Sequence, residues 1–239
     1  MSGWVAKRFW TDVTVEPAQG GFAVRLDARP VKTPAKVPLI LPTAGMAAAV
    51  AAEWQASGQK IDPRTMPVTR AANAAIDKVV AQFDEVAALI AAYGGADLLC
   101  YRTPGPPEMA SAQAAAWDPM LDWAADRLGA QLVTTVGISA VAQDPVALHR
   151  LAQKVRSCTN FQLTALYDLV GISGSLVLGL AATTDDFAPD ILWTLSRFDE
   201  DWQARLWGQD EDASAIAERK RRDFLSARNF WKLSTVSGD

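Results

Sequence analysis

The spacing of apolar residues changes once along this 239-residue chain, and that change constrains its fold more than any other feature. Before Thr43, apolar and polar residues alternate, as in segment 22–27, which is typical of a half-buried strand. After Thr43, apolar residues recur every three or four positions, beginning with Met46 and Val50, which is typical of helices. The pattern predicts an α+β protein: a small β-rich N-terminal domain with one helix, residues 1–60, followed by a larger all-helical domain, residues 61–239.

Short strands are predicted at 10–15, 22–26 and 37–41, with turns at Gly20-Gly21 and 27–30. The prolines at positions 30, 34, 38 and 42 recur every four residues. Because proline has no N–H for a strand ladder, these strands should be short or lie at sheet edges. A proline-rich ligand segment is the alternative, but the apolar residues between the prolines favour a sheet.

Thr43 is a predicted N-cap for the first helix, and the loop at 59–66 is the predicted domain boundary. Further helices are predicted near 67–80, 82–93, 108–128, 145–158, 159–182, 187–207 and 213–229. The helix at 159–182 is apolar over most of its circumference and should be central. Because the helical part holds most of the apolar residues, we expect it to fold without the N-terminal domain.

Charge and composition exclude several kinds of partner. The formal net charge of −4 gives no general attraction for nucleic acid or anionic membranes. The longest uncharged run, 169–184, is shorter than the roughly 18–20 residues that span a bilayer, so no membrane insertion is expected. The N-terminus has neither a secretory apolar region nor a convincing transit peptide, so we expect a bacterial-type cytoplasmic protein.

The residues that usually carry chemistry are scarce. Cys100 and Cys158 form no CxxC pair, which indicates buried free thiols in a reducing compartment. The single histidine, His149, falls on the surface of a predicted helix, so neither a zinc site nor a histidine-dependent triad is expected. Glycine-rich phosphate loops are missing from the sequence. We therefore expect no cofactor, no metal, no small-molecule substrate and no catalytic residue.

The acidic excess between Asp185 and Asp212 leaves one enzymatic alternative open. A carboxylate- or metal-dependent hydrolase needs two acids that face each other across a cleft. Asp199, Glu200 and Asp201 are consecutive, so on a helix they point in different directions. The acids at 210–212 lack the spacing of a calcium-binding loop. Catalysis is therefore the weaker hypothesis.

A protein-binding face is predicted on the helix at 187–207. At 100° per residue, a core arc contains Ile191, Leu195, Phe198, Trp202 and Leu206. Trp193, Arg197 and Glu200 fall on the opposite side, and tryptophan and arginine are enriched at binding hot spots. Two other interpretations stay open: Trp193 is covered by another helix of the chain, or the charges form a solvated surface.

Several longer motifs point to a known family. They are KRFW at 7–10, VRLDARPVKTPAKVPLILPT at 24–43, AAEW at 51–54, LLCYR at 98–102, WDPMLDW at 117–123 and LSRFDEDWQARLWGQDEDA at 195–213. In this order, they resemble the alpha-subunit assembly chaperones of F-type ATP synthase over about residues 7–233. One departure is Ala28, where the family usually has glycine in a tight hairpin turn.

The resemblance implies a fold, a partner and a site. It implies a small β-rich domain followed by a helical domain. It also implies that the protein binds newly made alpha subunit and prevents its aggregation until beta subunits arrive, without cofactor or turnover. Glu200 falls where the family has a functionally important acidic residue, whereas Trp54 is predicted to be structural. The predicted partner-binding residues are Glu200, Trp193, Arg197, Asp199 and Asp201.

Overall fold

A computed structural model describes residues 7–208 and 210–235 of the chain. The strands are β1 (Val13–Ala18), β2 (Gly21–Leu26), β3 (Arg29–Pro30), β4 (Ile40–Leu41), β5 (Tyr101–Arg102) and β6 (Thr135–Val136). The α-helices are α1 (Ala44–Ala56), α2 (Pro67–Ala74), α3 (Phe83–Ala92), α4 (Pro107–Leu128), α5 (Pro145–Arg156), α6 (Asn160–Ser173), α7 (Leu176–Ala181), α8 (Pro189–Ser196), α9 (Phe198–Trp207) and α10 (Glu211–Ser234). The predicted α+β class, with the strands near the N-terminus, is confirmed.

The chain forms two compact units. The first contains the described residues up to Phe83, the segment Thr159–Ala165 and the described residues from Asn229 onward. The second contains Asp84–Cys158 and Leu166–Arg228. The predicted boundary between residues 60 and 61 lies inside the first unit, because α2 and the two later segments pack into the same core as the strands.

The sheet of the first unit is built around β2. This strand pairs antiparallel with β1, β3 and β4. The first strand begins at Val13 rather than at the predicted Trp10, and it continues to Ala18. In the β2–β3 turn, positive φ falls on Asp27 (51°) rather than on Ala28, which relieves the alanine of the conformation that glycine would favour. The Asp27 carboxylate accepts the amides of Thr11 and Asp12, and these hydrogen bonds lower its pKa.

Helix α1 covers one face of this sheet and begins as the sequence predicts. Thr43 Oγ1 accepts the amide of Met46 at 3.0 Å, so Thr43 is the N-cap. Trp54 packs edge-on against Trp10, with ring centroids 5.3 Å apart, which agrees with its predicted structural role. The core of this unit is formed by Trp10, Val24, Leu26, Val31, Leu39, Leu41, Met46, Ala47, Val50, Val68, Ala72, Ala75, Phe161, Ala165 and Phe230.

A chain that begins at Ile61 tests the predicted domain division. Truncation there removes the sheet and α1, and it uncovers Val68, Phe161 and Phe230 in the remaining part of the first core. We expect the truncated chain to keep a helical circular-dichroism spectrum, to bind a hydrophobic dye and to melt over a broad range. A single sharp thermal transition without dye binding would instead show that residues 61–239 fold independently.

The second unit is helical and contains the short parallel pair β5–β6. Its core includes the fully buried side chains of Trp117, Leu151 and Phe224. The predicted helix at 159–182 is two helices, α6 and α7, because Gly174 adopts a left-handed φ of 73° between them. After the break, Gly179 of α7 lies close against Val170 of α6.

Asp97 joins two parts of the second unit from a fully buried position. Its carboxylate accepts the amides of Leu99 (3.1 Å) and Val177 (3.0 Å), which lie before β5 and at the start of α7. Burial raises the pKa of Asp97, against the opposing influence of the hydrogen bonds from Ser175 and the backbone amides. The pKa of Asp97 is therefore higher in the folded chain than in the unfolded chain.

We expect Asp97→Asn to change how stability depends on pH. Because the folded-state pKa lies above the ordinary value of 3.8, the contribution of Asp97 to stability is fully present below that value and is lost as pH rises through the folded-state pKa. The unfolding free energy of wild type, relative to the variant, should therefore fall as pH rises from about 4. Urea titrations of both proteins at several pH values measure this, and parallel curves would contradict it.

No single described helix is both long and apolar enough to cross a bilayer; Pro67–Val79 and Phe83–Cys100 satisfy that test only when taken together across a break.

Candidate functional site

The predicted helix at 187–207 is broken in the middle, and the break shapes the candidate site. Helix α8 ends at Ser196 and α9 begins at Phe198, with Arg197 between them at φ −114° and ψ 15°. The Leu195 carbonyl accepts the indole N–H of Trp117 at 2.9 Å. In a continuous helix the amide four residues later would bond this carbonyl, so the Trp117 contact accompanies the interruption.

The helical wheel drawn through a continuous helix is wrong in both α8 and α9. Trp193, assigned to the outer face, is 7% exposed and packs against Phe224 with ring centroids 6.1 Å apart. Ile191 and Leu206, assigned to the core, are both exposed. Trp193 is therefore covered by another helix of the chain, which was the alternative interpretation. It can influence a partner only through the residues that it supports.

Arg197 is the centre of a small charged cluster at the helix junction. Its guanidinium lies over the Trp193 ring, 5.6 Å from the centroid. The same group is 3.4 Å from Asp201 Oδ1 and 3.9 Å from Glu200 Oε1. The Glu200 side chain is 61% exposed, so a partner can reach it. Two carboxylates therefore lie within 4 Å of one guanidinium, and with Asp199, two residues from Arg197 in the chain, the junction carries a net negative charge.

Asp199 is held by a contact that the sequence does not reveal. The Gln113 side chain is buried in α4, and its Nε2 donates to Asp199 Oδ1 at 2.8 Å. The Oε1 of the same side chain accepts the amide of Thr103 at 2.9 Å. One glutamine therefore fixes α9 relative to the loop that follows β5.

A second support lies beneath the junction. Trp117 is fully buried, and its ring contacts Phe198 edge-on at 5.9 Å between centroids. Arg102 lies over the other part of the Trp117 ring at 5.6 Å and forms an ion pair with Asp118 at 2.7 Å. Arg102 belongs to the LLCYR motif and Trp117 to the WDPMLDW motif. The family resemblance included both residues but assigned no role to either. In the structure, Trp117 packs beneath the start of α9, and Arg102 packs on Trp117.

The acidic residues between Asp185 and Asp212 do not converge on a cleft. Their contacts are spread over the surface: Asp185 with Arg228, Asp186 with Trp123 and Arg127, Asp190 with Arg221, Asp199 with Gln113, and Glu200 and Asp201 with Arg197. Among residues 7–208 and 210–235, no three histidine, cysteine or acidic side chains are grouped to hold a metal ion. The geometry gives the hydrolase hypothesis no paired acid and base.

Neither cysteine is arranged as a nucleophile. Cys100 is buried, and burial raises the pKa of its thiol to about 12. Burial likewise raises the pKa of Cys158 to about 11. Neither thiol therefore has the lowered pKa that is typical of a nucleophilic cysteine. His149 lies on the exposed surface of α5, as the sequence predicts.

Comparison with known proteins agrees with the motifs. The profile of the ATP12 chaperone protein family matches residues 7–125. The crystal structure of Atp12 from Paracoccus denitrificans is 49% identical to this chain, with a TM-score of 0.94 over 96% of this chain and 99% of that one. An aspartate-to-lysine mutant of the Paracoccus denitrificans protein is 48% identical, also with a TM-score of 0.94, over 96% of this chain and 98% of that one. The Agrobacterium tumefaciens protein Atu1473 is 35% identical, with a TM-score of 0.92 over 97% of this chain and 87% of that one.

These relatives match in sequence and fold over at least 96% of the chain, and the quoted motifs from KRFW to WDPMLDW lie within the residues that the family profile matches. The protein therefore belongs to the ATP12 chaperone family.

Proposed function

We propose that this protein binds the unassembled alpha subunit of F-type ATP synthase and keeps it soluble until it pairs with beta subunits. Membership of the ATP12 chaperone family, together with the motif resemblance, carries the proposal. An isolated alpha subunit exposes the surface that later meets beta, and exposed apolar patches of that kind promote aggregation. The partner is thus a protein, rather than a nucleic acid or a small-molecule substrate.

We further propose that the α8–α9 junction contacts this client, with Glu200 as the anchor. Glu200 is exposed on a rigid helix, and Arg197 and Asp201 lie within 4 Å of one another beside it. Asp199 is fixed by Gln113, and Arg197 is supported by the buried Trp193. The net negative charge of the junction favours a basic site on the client.

The cluster is better suited to recognition than to catalysis. Surface ion pairs of this kind contribute only about 0–1 kcal/mol to stability. The stability of the fold therefore depends little on this cluster. Among the residues that the structure describes, no group that could hold a metal ion accompanies it, and we propose a function without catalysis or cofactor. The two free thiols fit a reducing compartment such as the cytoplasm.

Aggregation of purified alpha subunit tests the function directly. Alpha diluted from denaturant should scatter light when alone, stay clear with an equimolar amount of this protein, and elute with it as a complex. Later addition of beta should move alpha into an alpha–beta complex. Beta diluted in the same way is the specificity control. Serum albumin in place of this protein is the control for an inert protein. If alpha scatters as much light with this protein as with albumin, across several salt concentrations, the proposal is refuted.

A further inference from the structure

A groove lies beside the charged junction, entirely within the second unit, and has a volume of about 610 Å³. Helix α9 forms one wall through Asp199, Trp202 and Leu206, which share a face of the helix. The opposite wall is formed by β5, the loop after it, and Gly137 and Ile138 just after β6. The groove is therefore continuous with the face that we propose for the client.

Its apolar side chains are unusually open to solvent. Ile138 is 98% exposed, Trp207 82% and Leu206 59%, and all three line the groove. Single exposed apolar residues are common on protein surfaces, but a group that converges on one groove marks an interaction site. A small molecule would stay largely uncovered between walls this exposed, whereas small-molecule sites bury about 70–90% of their ligand.

The open shape of the groove suits a short piece of polypeptide. An extended segment can place alternate side chains against its two walls. Extended segments commonly bind by adding to the edge of a sheet, and β5 lines this groove.

The charge of the groove indicates which segment would bind. The Asp199 carboxylate lines it, and the contact that holds Asp199 is the neutral amide of Gln113. Arg102, a cation that also lines the groove, is paired with Asp118 at 2.7 Å. A lysine or arginine of an incoming segment would therefore find an uncompensated carboxylate, while phosphate groups of nucleic acid or lipid would be repelled.

We infer that this groove binds a short, extended, apolar segment of the client whose flanking lysine or arginine pairs with Asp199. The inference rests on the proposed chaperone function and adds the kind of client segment that is recognised. Apolar side chains of the segment cover Ile138, Leu206 and Trp207, and its cation lies at the junction end of the groove. The segment is one that the folded alpha subunit later buries.

Photocrosslinking in the full-length protein tests where the segment binds. A benzoylphenylalanine at position 138, which is exposed enough to spare the fold, should crosslink to alpha during refolding. The same group at Leu89, an exposed position on α3 outside the groove, is the control. Mass spectrometry of the crosslinked peptide should find an apolar segment next to a lysine or arginine. A peptide without those features would overturn the inference.

Substitutions give an independent measurement. Leu206→Asp should weaken alpha binding by at least about tenfold. Leu89→Asp is a matched control, because Leu89 is 54% exposed, and it should bind as wild type does. Asp199→Asn keeps an acceptor for Gln113 but removes the charge, so it should weaken binding several-fold and reduce its dependence on salt. Circular dichroism checks that each variant is folded.

The remaining outcomes separate this inference from the proposed function. If wild type protects alpha, but position 138 does not crosslink to it and Leu206→Asp binds it as wild type does, the client does not use the groove and the chaperone function stands. If wild type itself fails to bind alpha, both fall. If position 138 crosslinks to a second copy of this chain and Leu206→Asp abolishes self-association in sedimentation, the occupant is another copy, and the inference is wrong.

Discussion

Glu200→Lys should give a normally folded protein that has lost at least about 30-fold of its affinity for the alpha subunit. Glu200 is exposed, and its contact with Arg197 is long, at 3.9 Å. Removing an acidic anchor that pairs with a client cation, and adding a repelling charge, costs roughly 2–5 kcal/mol of binding. The cost to folding is smaller, about 1 kcal/mol or less, because the change affects only the first turn of α9 and a surface ion pair.

Glu218→Lys is the control for this variant. Glu218 lies 3.5 Å from Arg221, three residues further along α10, so it forms an ion pair of the same spacing as Glu200 and Arg197, away from the junction. It should bind alpha as wild type does. Titration calorimetry gives the affinities, and a urea titration gives the unfolding free energies. If Glu200→Lys unfolds the protein, Glu200 is structural; if it folds and binds alpha unchanged, the client docks elsewhere.

Trp117→Ala should be among the most destabilising single changes in the second unit. Trp117 is fully buried, and large-to-small changes of this kind cost roughly 3–5 kcal/mol. The loss is a large fraction of a typical stability of about 5–15 kcal/mol. Phe198 and Arg102 would lose their ring contacts, and the Leu195 carbonyl its donor. Because these contacts fix α9, client affinity should fall as well.

Trp117→Phe separates packing from hydrogen bonding. It keeps an aromatic ring against Phe198 and leaves the Leu195 carbonyl without its N–H donor, so the expected cost is roughly 1–3 kcal/mol. Denaturant unfolding followed by circular dichroism measures both variants. A midpoint for Trp117→Ala equal to that of wild type would show that the junction does not depend on this side chain.

The sequence determined those elements whose causes are local. The alternation at 22–26 identified β2. Thr43 was predicted as the N-cap of α1, and its side chain does accept the amide of Met46 there. Helices α4 and α5 begin within one residue of their predicted positions, because prolines mark their first turns. The motifs identified the family, since several long segments in a fixed order are specific even when none has a known chemical role.

Tertiary structure decided the candidate site. A wheel through 187–207 assumes that each carbonyl bonds the amide four residues later. The Leu195 carbonyl instead accepts a hydrogen bond from the indole N–H of Trp117, 78 residues away in the chain. The helix therefore restarts after Arg197, with Trp193 inside and Leu206 outside. Gln113 and Ile138 reach the site from distant segments and leave no periodic signal. Periodicity reports the average burial of one continuous element, whereas a site built at a break depends on contacts that only the folded chain brings together.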